Sequence, residues 1–324
     1  MPFDLAAAVE RGDAEELLRV VDELCGRHAW AALVRLRDQC CAAVERGKQL
    51  WPIAHHIEYR LALEAPGEWA GPVLVDGAGT FTLGPLSEVA ASTHTWAELA
   101  PYLTAGPVAS LTAHERVVRG EDLADVELHP AVLDLPTALQ EWEPAYPRAT
   151  YRPHTAEFPA PALPALEAVD IPSPVEVIDD GAACRALTDL VAAWTHTSDG
   201  RAEAVAVRGP ALAAVGALGA RRARAAEVPG PLALAHLAWA AASGGAYGRR
   251  RGMATARFDV WLAVGEMARV SQWPLPSSAL GAAVGRFDWW VWDAGEPTTG
   301  WALRVAASDP KQGIAWALTA SDAR

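Results

Sequence analysis

The sequence has little lysine and little cysteine. Lysine and arginine together number 27, but the lysines are Lys48 and Lys311 alone. Abundant alanine, glycine and proline accompany this preference for arginine, which is typical of a GC-rich coding bias, so arginine by itself is weak evidence for anion recognition. The four cysteines form no C-x-x-C pair. This absence argues against a disulfide scaffold and favours reduced thiols.

Long apolar runs are also missing. The most apolar stretch, "PLALAHLAWAAA", is too short to span a bilayer and carries His236 in its middle, so it predicts a buried helix. The N-terminal "MPFDLAAAVERGD" has no basic region of the kind that begins a signal peptide. We therefore expect a cytoplasmic protein that does not enter the membrane.

Signatures of known chemistry are absent as well. The sequence contains no G-x-S-x-G elbow, no H-E-x-x-H pair, no G-x-x-x-x-G-K-[ST] loop and no Cys-His signature. It identifies no cofactor, which weighs against an enzyme. The formal net charge of −13 repels nucleic acids at long range, so nucleic-acid binding is not expected.

The first half of the chain has helical periodicity. Apolar residues recur with helical spacing in "DAEELLRVVDELC", and Asp13 is placed to cap that helix, with Glu16 completing a capping box. The hexapeptide "AAVERG" occurs at 7–12 and again at 42–47. This echo suggests helix-hairpin repeats, although we slightly favour the simpler explanation of short similar turns in an alanine-rich chain. Residues 67–84 predict a short β-hairpin.

The second half is predicted to be mixed. Residues 144–174 hold eight of the 24 prolines and predict an ordered, extended connector. Beyond it, "VEVI" and "EAVAV" with a helix between them predict a short βαβ unit with parallel strands, followed by a helix over 211–227. Alternating tryptophans after residue 287 predict an antiparallel meander. The fold class is therefore α+β: a mainly helical domain over 1–143, the connector over 144–174 and an α/β domain over 175–324.

A basic segment stands out from the acidic chain. Nine arginines and two acidic residues lie between Arg201 and Arg257, and three of the arginines follow a glycine-rich turn in "SGGAYGRRRGMATARF". Three interpretations compete: a small-anion site, a nucleic-acid surface, and ion pairs with acidic residues of the same protein. We favour the ion pairs, then the small anion. The candidate ligand-binding residues are Gly245, Gly248, Arg249, Arg250, Arg251 and Arg257.

Two smaller patterns offer further candidate sites. Asp179 and Asp180 follow the first predicted strand and Arg208 follows the second, where open α/β sheets bind ligands; the simpler alternative is that an aspartate caps the next helix. In "HHIEY", His55 and Glu58 share one helix face at a spacing used by metal sites in helical bundles. An isolated pair of this kind is more often structural.

These observations leave two hypotheses. The first is a non-catalytic interaction or regulatory protein that binds a protein partner or a second copy of itself. The alternative is an enzyme or sensor that binds a small phosphorylated or carboxylated ligand at Asp179, Asp180 and Arg208, with the Arg249–Arg251 loop as a clamp.

Overall fold

A computed structural model describes residues 5–172, 176–295 and 299–323. Contacts divide the chain into two compact units. The helical unit comprises Met1–Val132 and Ala149–Glu157, and the sheet unit comprises Leu133–Arg148 and Phe158–Arg324.

The helical unit is built from short helices. Two 3₁₀ turns, Gly71–Val73 and Ala100–Tyr102, connect some of them. Its helices are α1 (Leu5–Arg11), α2 (Ala14–Gly26), α3 (Trp30–Glu45), α4 (Trp51–Glu64), α5 (Gly67–Ala70), α6 (Leu86–Thr93), α7 (Trp96–Leu99) and α8 (Pro107–Val118).

Helix α2 forms where the apolar periodicity predicts it. The buried residues that make its apolar stripe include Leu17, Val20, Val21 and Leu24. Asp13 caps the helix, since its carboxylate accepts hydrogen bonds from the backbone N–H groups of Glu15 and Glu16, both at 3.0 Å. The Glu16 side chain does not complete a capping box; it pairs with Arg11 instead, at 2.7 Å.

The hairpin predicted over residues 67–84 is wrong. That segment contains α5, a 3₁₀ turn and further turns, and no strand. Val73 and Leu74 are both buried although they are consecutive, which a half-buried strand does not allow because its side chains alternate between faces. The helical unit instead contains the two-residue strands β1 (Thr150–Tyr151) and β2 (Ala156–Glu157), which pair antiparallel.

The sheet unit contains, within the described residues, a seven-stranded antiparallel sheet. Its order is β3-β6-β7-β8-β9-β5-β4. The strands are β3 (Glu167–Val169), β4 (Glu176–Ile178), β5 (Arg201–Arg208), β6 (Ala223–Val228), β7 (Asp288–Asp293), β8 (Trp301–Asp309) and β9 (Ile314–Asp322). The helices are α9 (Gly181–Asp189), α10 (Ala192–His196), α11 (Ala211–Ala217), α12 (Gly230–Ala242), α13 (Met253–Met267) and α14 (Ser277–Arg286).

Both the mixed α+β class and its helical N-terminal part are confirmed. The predicted antiparallel meander corresponds to β7, β8 and β9. The tryptophans of β7 lie on opposite faces of the sheet: Trp290 and Trp292 pack on the cluster that includes α11, while the indole N–H of Trp289 donates to the Val284 carbonyl at 3.1 Å. The apolar stretch with His236 forms α12, which is buried along most of its length.

The predicted parallel βαβ unit is wrong. Strands β4 and β5 pair antiparallel, with Glu176 opposite Arg208. A second helix, α10, lies between these strands and adds a change of chain direction that a single crossover helix lacks. The helix predicted over 211–227 ends at Ala217, before Gly219 with its φ of +87°. After this glycine, Ala223, Arg224 and Ala225 alternate between buried and exposed positions at the start of β6.

Over its described residues, 144–172, the proline-rich segment contains the short strands β1, β2 and β3 and otherwise no regular secondary structure. Contacts place the start of this segment in the sheet unit and Ala149–Glu157 in the helical unit. The domains 1–143, 144–174 and 175–324 stay predictions, and the boundary between residues 174 and 175 lies outside the described residues. Among the described helices, none combines the length and the apolarity that a membrane crossing requires.

Candidate functional sites

The glycine-rich turn after α12 contacts the carboxylate of Asp322. Gly245 has a φ of +74°, and a Cβ there would lie 2.1 Å from Asp322 Oδ2. The Ala246 N–H donates to that oxygen at 2.6 Å, and the Ser198 hydroxyl donates to Asp322 Oδ1 at 2.9 Å. Asp322 is buried. Its carboxylate therefore stands where the sequence suggested a bound anion. Gly248 is needed for close packing, because a Cβ there would lie 2.2 Å from the Gly244 carbonyl oxygen.

Of the three consecutive arginines, Arg250 and Arg251 contact different groups. Arg249 is exposed. The Arg250 guanidinium lies over the Phe158 ring, 4.4 Å from its centroid. Arg251 pairs with Asp259 at 2.7 Å, and both side chains are partly buried. Burial raises the pKa of Asp259, and the Arg251 charge opposes that rise.

Arg257 forms a buried ion pair with Glu143. The guanidinium Nε and Nη2 donate to the two carboxylate oxygens at 2.7 and 2.8 Å, and neither side chain is exposed to solvent. The same guanidinium donates to the carbonyls of Pro136 at 2.9 Å and Ala138 at 3.1 Å. All three guanidinium nitrogens thus donate hydrogen bonds inside the sheet unit, and α13 is held to the segment that precedes residue 149.

Glu143 is the centre of this network. It also accepts hydrogen bonds from the Trp261 indole N–H at 2.9 Å and the Tyr146 hydroxyl at 2.7 Å. Burial raises the pKa of Glu143, but hydrogen bonds from Arg257 and its charge outweigh burial, so the pKa lies below its ordinary value. Burial, followed by the Glu143 charge, raises the pKa of Tyr146 well above its ordinary value.

A basic groove lies beside the arginine run. It has a volume of about 660 Å³. Its lining residues include Ala192, Ala193, His196, Thr197, Tyr247, Gly248, Arg249 and Arg251. Tyr247 is 61% exposed and offers an aromatic ring and a hydroxyl at the edge of this groove. The groove thus combines cationic and hydrogen-bonding groups that suit a small anion.

The structure does not bring Asp180 and Arg208 together. Because β4 and β5 are antiparallel, Arg208 lies beside Glu176, to which its Nε is 3.3 Å distant, while Asp180 follows the other end of β4. Asp180 accepts a hydrogen bond from the Trp316 indole N–H at 3.0 Å. It occupies the capping position of α9 without a side-chain capping bond, and Asp179 is exposed. The shared cleft that a site at these residues needs is not formed by this geometry.

His55 and Glu58 have separate surroundings. The His55 ring stacks on Phe81 with centroids 5.5 Å apart, and Glu58 accepts a hydrogen bond from the Gly79 N–H at 2.7 Å. Their role as metal ligands stays a prediction. Within the described ranges, the ligand groups that lie close enough for one ion belong to other residues.

Those residues are Asp22 on α2, His56 on α4 and His154 in the β1–β2 turn. Their ligand atoms all lie within 4.8 Å of one another. His154 Nε2 is 3.1 Å from Asp22 Oδ1, and the two imidazole rings stack with centroids 5.4 Å apart. Burial, followed by the charges of Arg60 and His154, lowers the pKa of His56 to about 4, so its imidazole is neutral at pH 7.

An apolar groove of about 360 Å³ borders these histidines in the helical unit. Its lining includes Ala14, Leu18, Pro52, Ile53, His56, Tyr59, Phe81, Thr82, Leu83, Pro153 and His154. Phe81 and Leu83 are 55% and 41% exposed, and the Phe81 ring lies 4.3 Å from that of Trp51, centroid to centroid. We call Trp51, Phe81 and Leu83 the aromatic surface.

A family model matches residues 15–324, which is nearly the whole chain. The chain belongs to DUF6183, a family of unknown function. No curated protein and no solved structure matches it.

Sequence reasoning missed the groups that this DUF6183 chain brings together. Asp22, His56 and His154 lie on three separate elements, and no local spacing connects them. The "HH" pair drew attention to the right helix, but to His55 instead of His56. Asp322 was missed for the same reason, because its partners at the glycine turn lie far away in the sequence.

Proposed function

We propose that this protein is a non-catalytic interaction protein of the cytoplasm, which binds a partner protein through the aromatic surface and the apolar groove behind it. The observation that carries the proposal is the exposure of large apolar side chains beside a concave apolar site. Large exposed apolar surfaces on monomeric proteins are typical of interaction sites, and aromatic side chains dominate their energetics. The free thiols of all four cysteines support a reducing compartment.

The volume of the groove and the net charge of the chain indicate the kind of partner. A groove of about 360 Å³ has room for one or two apolar side chains, which fits an anchor residue on a partner segment. The chain carries a formal net charge of −13, so basic residues around that anchor would be attracted and acidic ones repelled. We therefore propose a partner segment with an apolar anchor and a basic rim.

The test replaces Phe81 and Leu83 together by serine. The matched control is Val75→Ser, because Val75 is also an exposed apolar residue of the helical unit, 46% exposed, but does not belong to the lining of this groove. Proteins captured by the wild type should be retained by the control and lost by the double variant. Light scattering after size exclusion shows whether the captured partner is a second copy of this chain.

Capture that survives in the double variant would refute the aromatic surface as the binding site. The proposed function itself would be refuted if the wild type stays monomeric and captures only proteins that the double variant also captures. Loss of capture in the Val75 control would also count against the proposal, because it would indicate a general effect of serine substitution.

A second candidate function is a sensor or enzyme that binds a small phosphorylated or carboxylated ligand. The basic groove with Arg249, Arg251 and His196 favours it, without the Asp179, Asp180 and Arg208 cluster. Inorganic phosphate and nucleoside monophosphates should then raise the melting temperature of the wild type, and Arg249→Ala should abolish the effect. A ligand at 100 times its Kd adds about 2.7 kcal/mol of stability. An equal rise in the variant would refute this site.

A further inference from the structure

We propose that Asp22, His56 and His154 bind a divalent transition-metal ion of the zinc class at the edge of the apolar groove. Two imidazole nitrogens and one carboxylate oxygen are a ligand set that Zn²⁺ accepts. This inference goes beyond partner binding and does not depend on it.

The distances are close to those of a metal site. Tetrahedral bonds of about 2.0–2.1 Å place neighbouring ligand atoms about 3.3 Å apart. His154 Nε2 and Asp22 Oδ1 are already 3.1 Å apart, and the ligand atoms of all three residues lie within 4.8 Å. The side chains of His154 and Asp22 are 56% and 44% exposed, so small rotations can close the remaining gap.

His56 supplies an unused nitrogen. Its Nε2 is buried and has no hydrogen-bond partner among the described residues. A buried polar atom without a partner is unfavourable, and coordination of a metal would satisfy it. The ring centroids of His56 and His154 are 5.4 Å apart, and a ligand atom of each residue lies within 4.8 Å of an Asp22 carboxylate oxygen.

A neighbouring arginine does not exclude a cation. The Arg60 guanidinium pairs with both Glu64 oxygens, at 2.7 and 3.1 Å, and also contacts Asp22 Oδ1. Glu64 balances the charge of Arg60, so the negative charge of Asp22 remains to attract a metal ion. Arg60 therefore acts as a positioning residue that orients the Asp22 carboxylate.

Three protein ligands leave one tetrahedral position open. Both histidines belong to the lining of the apolar groove, so a water molecule or a ligand atom in that groove can fill the fourth position. Structural zinc sites use four protein ligands, whereas sites with three bind an exchangeable group. The proposed site is of the second kind.

The test is a metal titration of the full chain, purified without a polyhistidine tag and kept reduced. Calorimetry with ZnCl₂ measures affinity and stoichiometry, and the visible spectrum of the Co²⁺ form reports on coordination. The variants are Asp22→Asn and His154→Gln, which keep side-chain size at partly exposed positions. His55→Gln is the matched control, because it changes the adjacent histidine on the same helix. Cys41→Ser tests for adventitious binding at the exposed thiol. Circular dichroism verifies that each variant is folded.

We expect one Zn²⁺ per chain and a tetrahedral Co²⁺ spectrum. Each ligand variant should weaken binding by more than about 100-fold, since even outer-shell changes cost about 10- to 100-fold. The His55 and Cys41 variants should bind as the wild type does. Absence of zinc binding by the folded wild type, or equal affinity in Asp22→Asn and His154→Gln, would overturn the assignment. A comparable loss in either control would overturn it too, because the ion would then lie elsewhere.

Discussion

Replacement of Glu143 by glutamine should strongly destabilise the sheet unit. The substitution keeps the size of the side chain but removes the charge that pairs with Arg257. That guanidinium would stay fully buried, with the carbonyls of Pro136 and Ala138 and a neutral amide as its partners. A charge in the interior without a counter-charge is the costly arrangement.

The expected magnitude follows from the complete burial of the pair. Loss of one partner from a buried ion pair costs about 3–5 kcal/mol. In a domain of about 150–250 residues, 1 kcal/mol corresponds to about 2–4 °C, so the melting temperature should fall by about 6–20 °C. The folded-state pKa of Glu143 lies below its unfolded value, so its contribution is present above the unfolded pKa and is lost as the pH falls through the folded pKa. The difference between wild type and variant should therefore shrink at strongly acidic pH.

Urea unfolding at pH 7, followed by tryptophan fluorescence, measures the effect. Arg257→Met and the double variant complete a double-mutant cycle. If Glu143 acts through its ion pair with Arg257, the losses of unfolding free energy in the two single variants are non-additive by about 1–3 kcal/mol. A loss below about 1 kcal/mol in Glu143→Gln, which is the range of an exposed pair, would refute the reasoning. So would strict additivity in the cycle.

Two further predictions concern pH and surface charge. Burial holds the pKa of His236 at about 4, below its unfolded value, so the free energy of unfolding should fall as the pH decreases through that unfolded value. His236→Phe should remove about 2 kcal/mol of the loss between pH 7 and 5, measured by urea unfolding at each pH. An unchanged pH dependence in the variant would contradict this. Arg251→Ala breaks a partly buried pair with Asp259 and should cost about 1–3 kcal/mol, whereas Arg208→Ala, which breaks an exposed pair with Glu176, should cost less than about 1 kcal/mol. Equal thermal shifts of the two arginine variants would show that burial does not decide the difference.

The meander could be predicted because its signal is local. Trp289 and Trp290 point to opposite faces, and this alternation is written in consecutive residues. Helix α2 could be predicted equally well, from the spacing of its apolar residues and the cap at Asp13. Where one face of an element is buried, short stretches of sequence specify it.

The direction of β4 against β5 could not be predicted in the same way. Both strands have suitable compositions, but strand direction depends on the connection, and the position of α10 within it is not apparent from periodicity. The candidate sites could not be predicted from local sequence either. Glu143 meets Arg257, and Asp322 meets the turn at Gly245, only because distant parts of the chain fold together.

The position of β9 in the sheet has a consequence for biosynthesis. This strand follows the other strands in chain order, yet it lies between β8 and β5 and is the link between the two parts of the sheet. As the chain leaves the ribosome, β4 and β5 can pair with the part of the sheet formed by β3, β6, β7 and β8 only after β9 has been synthesised. The contacts between β5 and β9, which join the two parts of the sheet, therefore span a long sequence separation. Such contacts slow folding, and strand edges stay exposed until they form. A nascent chain that pauses before β9 would present the edge of β8 to other chains and to chaperones.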